Sequence, residues 1–258
     1  MEWSVGIVVP AFQPNVSQLQ TFVRALDETL SPAVIRIELD DPRPGVVDAL
    51  SSLPATVNAV DARRGKGAAI AAGFEALDTD VYAFADADGA TPAKSIADVV
   101  RPVLEGRADL SVGSRRHPDA VVKSHQTLAR RRLGDAFAWL ARRLLSVDLF
   151  DYQCGAKAMT ADAWAAVREH LYEPGFAWDV ELIAMAGALG QRVAEVPVEW
   201  HDQPDSTVDP VGTTKALAKG LFVSRHRAKL VSQDRFHQAI ANRRDQPTAL
   251  IDLGPNDD

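Results

Sequence analysis

The sequence has a single cysteine, Cys154, among its 258 residues. One thiol excludes an internal disulfide and any metal site built from several cysteines, and it leaves a reducing cytoplasm as the expected compartment. No cationic side chain that would activate this thiol can be assigned from the sequence, so we expect Cys154 to be a small, packed side chain. We expect Trp139 and Trp164 to lie in the core as well.

Long apolar runs are equally lacking. No stretch approaches the roughly 20 apolar residues of a transmembrane helix, and no basic segment precedes the first strand-like run, Ser4–Val9. We therefore expect a soluble or peripheral protein without an export signal. Asp and Glu outnumber Lys and Arg by 35 to 28, which gives a net charge of -7. This charge disfavours nucleic acid as the main partner.

Short β-branched runs alternate with amphipathic, helix-like stretches. This alternation predicts an α/β fold with a mostly parallel central sheet and helices on both faces. The expected strands are Ser4–Val9, Val34–Leu39, Thr56–Val60, Val81–Ala85, Ala108–Gly113 and a later one, Arg192–Trp200. There is no internal repeat and no low-complexity linker. We therefore expect one domain over residues 1–212, followed by an amphipathic basic helix and a polar tail over residues 213–258.

Two carboxylates, Asp86 and Asp88, follow the fourth expected strand, at the sheet edge where open α/β folds bind ligands. Like charges this close repel unless a cation lies between them. A helix N-cap would explain one aspartate but not two. An EF-hand does not fit, because its loop glycine is the sixth residue and Gly89 is the fourth. A hard divalent cation, Mg²⁺ or Mn²⁺, shared with a substrate's phosphates fits both residues.

The segment RRGKGAAIAAG is the second candidate for ligand binding. A P-loop would need Ser or Thr directly after its lysine, but Gly67 follows Lys66. What remains is a helix amino terminus opened by glycines beside a lysine, which suits a phosphate or the edge of a nucleotide. An ordinary turn between strand and helix is the alternative.

Seven segments, in order, resemble those of the GT-A glycosyltransferases of family 2: VVPAF, GKGAAI..GF, DADGAT, GSR, DYQCGAK, FAWDVEL and VPVEW. The chain is most similar to the branch of dolichyl-phosphate β-glucosyltransferases and dolichol-phosphate mannose synthases. DYQCGAK and FAWDVEL are closest to the glucosyl branch, and they argue against a nucleotidyltransferase, which also opens with a strand and a glycine-rich loop. The resemblance implies a Rossmann-like GT-A fold over about Val5 to Trp200.

This resemblance implies a nucleotide-sugar donor whose diphosphate meets a divalent metal ion on Asp86 and Asp88. Such an ion neutralises the charge that develops on the leaving group. The other residues that the resemblance assigns to the nucleotide are Pro10, Ala11, Asp40 or Asp41, Lys66 and Gly67. Two segments depart from the family: AFQPN replaces the usual PAYNEE, and DDPRPG replaces a DDGS-like turn. Both departures bear on which nucleotide is bound.

The acceptor stays open at this point. A sugar hydroxyl needs a general base, for which Asp179 is the first candidate and Glu181 the second. A lipid phosphate is already ionised, with a second pKa of about 6, so it needs cations rather than a base. Arginine suits that role, and Arg115 and either Arg130 or Arg131 match family positions linked to an acceptor phosphate.

We therefore expect an inverting, metal-dependent hexosyltransferase. By resemblance, UDP-glucose is favoured over GDP-mannose as donor, and dolichyl or another polyprenyl phosphate is the acceptor. The product would feed glycan assembly such as protein N-glycosylation at the cytoplasmic face of a membrane. One alternative is a glycosyltransferase that acts on a glycan hydroxyl with Asp179 as base; another is a catalytically silent nucleotide-sugar-binding protein, against which the complete aspartate pair argues.

The basic carboxyl-terminal stretch has two interpretations. It packs Leu217 and Leu221 on the main domain, or it lies at a membrane surface with its lysines and arginines drawn to anionic lipid.

Overall fold

The computed structural model describes residues 3–123, 128–201, 210–233 and 248–253. Its main sheet has seven strands: β1 (Val5–Phe12), β2 (Val34–Asp40), β3 (Thr56–Val60), β4 (Val81–Ala85), β5 (Leu110–Ser114), β7 (Ala156–Thr160) and β8 (Val193–Pro197). They lie in the order β3-β2-β1-β4-β7-β5-β8. Only β7 runs antiparallel to its neighbours among these strands. The predicted mostly parallel sheet is confirmed.

Two further strands, β6 (Val121–Lys123) and β9 (Glu199–His201), pair in a small parallel sheet of their own. The expected strand Arg192–Trp200 is therefore divided into β8 and β9, with Val198 between them. The antiparallel strand β7 was not predicted. Its sequence, AKAMT, combines small residues with a lysine and lacks the β-branched pattern of the other strands.

The helices are α1 (Val16–Leu30), α2 (Val46–Leu50), α3 (Lys66–Glu75), α4 (Ala93–Leu104), α5 (Leu128–Leu144), α6 (Ala161–Val167), α7 (Trp178–Ala188) and α8 (Pro210–Val231). Short 3-10 turns occupy Arg168–His170 and Leu250–Asp252. Alternate residues of β1 and β4 face different cores. Ile7 and Ala83 pack with α1 and α4, whereas Val8 and Phe84 pack with α3, α6 and α7. Both faces of the sheet are thus covered, as buried parallel strands require.

Core predictions from single residues had mixed outcomes. Cys154 and Trp164 are buried, as predicted. Burial raises the pKa of the Cys154 thiol to about 12, so this thiol stays protonated and unreactive near neutral pH. The prediction for Trp139 was wrong: it is 55% exposed on α5, where the Arg143 guanidinium lies 5.5 Å from its ring.

Helix α8 packs on α7. Leu221 is fully buried, Leu217 is nearly so, and Arg227 forms an ion pair with Glu181 of α7. The predicted packing of these two leucines is confirmed, and the expected boundary after residue 212 falls inside this helix. In the described part of the chain, no helix is both long and apolar enough to cross a membrane. The interpretation of this helix as a membrane-surface element stays a prediction.

Candidate active site

The loop after β4 carries Asp86 and Asp88 at the carboxyl edge of the sheet. The Asp86 N–H donates to the Gly155 carbonyl at 2.9 Å, and the Gly89 N–H returns to the Asp86 carbonyl at 3.3 Å. Asp88 Oδ1 accepts the Ala90 N–H at 2.9 Å, which closes a tight aspartate turn. The loop is therefore held by its own backbone before any ligand binds.

The Asp86 carboxylate rests directly on Gly155 of the segment DYQCGAK. A β-carbon at residue 155 would lie 1.9 Å from Asp86 Oδ2. The glycine thus leaves the space that the carboxylate occupies, while the Asp86 side chain remains 40% exposed on its other side. This exposed side is where a ligand can reach the carboxylate.

The two aspartates fit a divalent cation. Burial raises the pKa of Asp88, and the neighbouring charge of Asp86 raises it further, so a cation here would relieve a real repulsion. A cation already contacts the first carboxylate: Lys66 Nζ lies 2.9 Å from Asp86 Oδ1. Among the residues that the structure describes, no group of three or more His, Cys, Asp or Glu could hold a metal. Mg²⁺ or Mn²⁺ would therefore take its other ligands from substrate and water, as Mg²⁺ often does.

Behind the aspartates, Asp179 lies between two lysines. Lys66 Nζ is 2.9 Å from Asp179 Oδ2, and Lys157 Nζ is 2.5 Å from Asp179 Oδ1. Lys157 ends the DYQCGAK segment, but no role for it was predicted from the sequence. Its place follows from strand pairing: Lys157 on β7 stands opposite Phe84 on β4, so both side chains point towards α7.

This surrounding does not favour Asp179 as a general base. Burial alone would raise the pKa of its carboxyl, but the charges of Lys157 and Lys66 outweigh burial and hold the pKa below its ordinary value. Each carboxylate oxygen already accepts from an ammonium. The role of Asp179 as base stays a prediction that this geometry weakens.

Glu181, the second candidate base, serves a different part of the structure. It is fully buried, and its carboxylate accepts the N–H groups of Tyr172 and Glu173 at 2.8 and 2.7 Å. Its other oxygen accepts from Arg227 of α8. These contacts fix the segment before α7 and do not involve the aspartate loop.

Arg115, at the end of β5, is gripped by a buried carboxylate. Its Nε and Nη2 donate to the two oxygens of Asp151 at 2.7 and 3.0 Å. Burial alone would lower the pKa of this guanidinium, but Asp151 more than compensates and raises it. The Arg115 charge opposes in part the rise in the pKa of Asp88 that burial and Asp86 cause, so the guanidinium lies within electrostatic range of the aspartate loop. Within the described part of the chain, no hydrogen bond engages the third nitrogen, Nη1, so it can donate to another anion.

The side chains of Arg130 and Arg131 lie outside the described residues, although both belong to α5. An ion pair between Arg116 and Asp135 connects the segment after β5 to this helix. This ion pair brings α5 against the segment that follows β5, and the predicted role of Arg130 or Arg131 stays a prediction.

Asp40, predicted to contact the nucleotide, positions the loop that carries Lys66. Its carboxylate accepts from Arg64 Nε at 2.8 Å and from the Gly65 N–H at 3.1 Å. Gly67 allows the close approach of α7, because a β-carbon there would lie 2.6 Å from Trp178 Cβ. The Lys66 ammonium consequently points to Asp86 and Asp179.

The nucleotide-contacting turn predicted at Pro10 and Ala11 forms the end of β1, hydrogen-bonded beside β2. Next to it lie the two segments that depart from the family. Gln13 and Asp41 both have left-handed backbone, with φ of 43° and 45°. Gln13 Nε2 donates to Asp41 Oδ2 at 3.3 Å, so the two departures contact each other.

Sequence comparison with known proteins finds the family that the motifs resemble. The sequence profile described as Glycosyl transferase family 2 matches residues 7–164. Glycosyltransferase AglD of Haloferax volcanii is 34% identical over 218 residues, which cover 80% of this chain and 34% of that protein. The dolichyl-phosphate beta-glucosyltransferase of Mus musculus is 32% identical over 171 residues, 64% of this chain and 52% of that protein. The chain thus spans about a third to a half of the length of these relatives.

Solved structures share the fold. Glucosyl-3-phosphoglycerate synthase from Mycobacterium tuberculosis, in complex with Mn²⁺, uridine-diphosphate and phosphoglyceric acid, superposes with a TM-score of 0.66 at 16% identity. The matched part covers 86% of this chain and 78% of that one. A crystal of the same enzyme with Mg²⁺ and uridine-diphosphate also gives 0.66, at 15% identity, over 86% of this chain and 79% of that one. The predicted GT-A fold is confirmed.

Proposed function

The chain belongs to glycosyl transferase family 2, and on this premise we propose that it transfers a hexose from a nucleotide sugar to a polyprenyl phosphate. The anomeric carbon would be inverted, so that an α-linked donor gives a β-linked lipid phosphate sugar. Dolichyl phosphate is the acceptor that we favour, because several relatives are named dolichyl-phosphate beta-glucosyltransferases.

The observation that carries the phosphate acceptor is the state of Asp179. Both of its oxygens are held by ammonium groups, and the carboxyl has a lowered pKa, so it is a poor acceptor for a hydroxyl proton. A phosphate monoester needs no base, since it is an anion near neutral pH. Arg115 can donate to that anion from Nη1, the nitrogen that does not contact Asp151. The hydrogen bonds from Nε and Nη2 to Asp151 hold the planar guanidinium in position.

On the donor side, Asp86 and Asp88 would hold Mg²⁺ or Mn²⁺. When bound, the ion supplies positive charge to the leaving diphosphate. Lys66 adds a second cation next to the same position, and Gly155 keeps the first carboxylate in its place. The structural neighbours contain uridine-diphosphate with Mn²⁺ or Mg²⁺. This supports UDP-glucose over GDP-mannose as the donor in our proposal.

A polyprenyl acceptor requires contact with a membrane surface, and we place the protein at the cytoplasmic face. The Arg115 guanidinium lies 5.8 Å from the ring of Trp200 on β9, which pairs with β6. Val121 and Val122 on β6 are 53% and 44% exposed, and Leu133 on α5 is 50% exposed. This exposed apolar surface, together with the arginines of α5, supports peripheral attachment of the protein. Such attachment needs no membrane-spanning helix.

The test uses radiolabelled donors with dolichyl phosphate in detergent. Label from UDP-glucose, and not from GDP-mannose, should enter an acid-labile lipid fraction with Mg²⁺ or Mn²⁺ and be lost with EDTA. Label from GDP-mannose alone would replace the donor in the proposal. UDP-glucose binding without any lipid label would instead favour a hydroxyl acceptor.

A further inference from the structure

Four charged side chains of alternating sign form a continuous chain of ion pairs behind the carboxyl edge of the sheet. Asp86 contacts Lys66, Lys66 contacts Asp179, and Asp179 contacts Lys157, at 2.9, 2.9 and 2.5 Å. Their exposure falls along the chain, from 40% for the Asp86 side chain to 10% for Lys66 and 1% for Lys157. Only the first member is open to an incoming ligand.

The inner end of this chain is fixed. Lys157 Nζ donates to the Cys154 carbonyl at 2.8 Å as well as to Asp179, and its ammonium lies 5.3 Å from the centre of the Phe84 ring. Asp179 is 2% exposed and lies in the first turn of α7, where a helix amino terminus favours a carboxylate. Asp179 is therefore a fixed anchor for whichever ammonium binds its other oxygen.

The outer contact has a different character. Lys66 opens α3, and its ammonium bridges the anchor Asp179 and the metal-binding candidate Asp86. A divalent cation that binds Asp86 comes within a few ångströms of this ammonium. Two cations on one carboxylate repel each other strongly in a partly buried site. Lys66 must then give up Asp86, and Asp179 still holds it.

We propose that Lys66 is an exchangeable counter-cation, which neutralises Asp86 before metal binds and then turns, anchored by Asp179, to the diphosphate of the donor. The proposal rests on the proposed function, since it needs a divalent cation and a nucleoside diphosphate in this site. Lys66 is thus a competitor of the metal when the site holds no nucleotide. It becomes a partner of the metal when a diphosphate lies between the two cations.

Lys66 is expected to oppose metal binding without nucleotide and to support diphosphate binding with it. These opposite effects can be tested without measuring turnover. Mn²⁺ binding to the nucleotide-free protein is measured from the electron paramagnetic resonance signal of unbound Mn²⁺. Because Lys66→Met removes the competitor, we expect Mn²⁺ to bind on the order of tenfold more tightly than in wild type. UDP binding at saturating Mn²⁺, measured by calorimetry, should weaken by a similar factor in the same variant.

Lys157→Met is the matched control. It removes the same charge from the same chain, at a residue that contacts Asp179 but not Asp86. Mn²⁺ affinity should change by less than about threefold in this variant. Near-ultraviolet circular dichroism checks that each variant is folded, and Lys66→Gln repeats the test if Lys66→Met is not.

Two results would overturn the proposal. One is an unchanged or weaker Mn²⁺ affinity after loss of Lys66, which would show that the lysine does not compete for Asp86. The other is tighter Mn²⁺ with unchanged UDP affinity, which would show that the lysine never reaches the diphosphate. Failure of the proposed function looks different, because Mn²⁺ and UDP would bind as described while no sugar reached dolichyl phosphate.

Discussion

Replacing Gly155 by alanine should damage the site with little damage to the fold. The new β-carbon would lie 1.9 Å from Asp86 Oδ2 and 2.2 Å from Asp86 Cγ, whereas ordinary contact begins at 3.4 Å. The carboxylate must therefore move by about 1.5 Å. A displacement of about 1 Å in a reacting geometry can cost about 100-fold in rate. We expect kcat for sugar transfer to fall by about this factor.

The assay is transfer of labelled glucose from UDP-glucose under saturating Mn²⁺, with Mn²⁺ affinity and thermal unfolding measured on the same preparation. Gly175→Ala is the matched control, because the nearest atom to its new β-carbon is the flexible end of Glu173, at 3.1 Å. It should keep its rate within about threefold. If Gly155→Ala kept full activity and full Mn²⁺ affinity, the close contact between the Asp86 carboxylate and Gly155 would not be needed for function.

Three further predictions concern acceptor binding, acid stability and packing. Arg115→Lys keeps the charge but loses the fork, so kcat/KM for dolichyl phosphate should fall about 100-fold while KM for UDP-glucose is unchanged. Burial raises the pKa of Asp151, but Arg115 lowers it well below the ordinary value. The stability deficit of Asp151→Asn, measured in urea, should therefore shrink as pH falls below about 4. Leu221→Ala should cost about 2–5 kcal/mol of unfolding free energy.

Each of these has a result that contradicts it. An unchanged acceptor kcat/KM in Arg115→Lys would show that the guanidinium positioned by Asp151 does not bind the acceptor phosphate. A stability deficit of Asp151→Asn that stays constant down to pH 3 would mean that the Asp151 carboxylate is not held ionised by its partner. For the leucine, the control is its neighbour Phe222→Ala, which is 54% exposed and should cost under about 1 kcal/mol. Equal losses in both would contradict the packing of α8.

The sequence predicts the central strands well because their signal is local. Ile7, Val9 and Phe84 belong to short apolar runs bounded by turn residues, and such runs are typical of buried parallel strands. Strand β7 has no such signal, since its pattern is small residues around a buried lysine. Trp139 was predicted in the core but is exposed. The apolar character of a residue does not say which face of α5 the core covers.

Some contacts of the candidate site could also be predicted from local sequence, and others could not. Asp86 and Asp88 are recognisable because two carboxylates after a strand need a cation, and this requirement is visible in four consecutive residues. The pairing of Lys157 with Asp179 is not recognisable from the sequence, because the two residues are 22 positions apart. It depends on the register of β4 and β7, which turns Lys157 towards α7. In the structure, the residue predicted as a base accepts hydrogen bonds from two ammonium groups.

The central claim is that the acceptor is a phosphate rather than a hydroxyl. It is tested most directly by offering the enzyme dolichyl phosphate and dolichol, which differ only in the phosphate, with labelled UDP-glucose and Mg²⁺. We predict label in the lipid fraction with dolichyl phosphate alone, lost when EDTA is added. Comparable label on dolichol would show that the enzyme activates a hydroxyl, and it would return Asp179 to the role of general base.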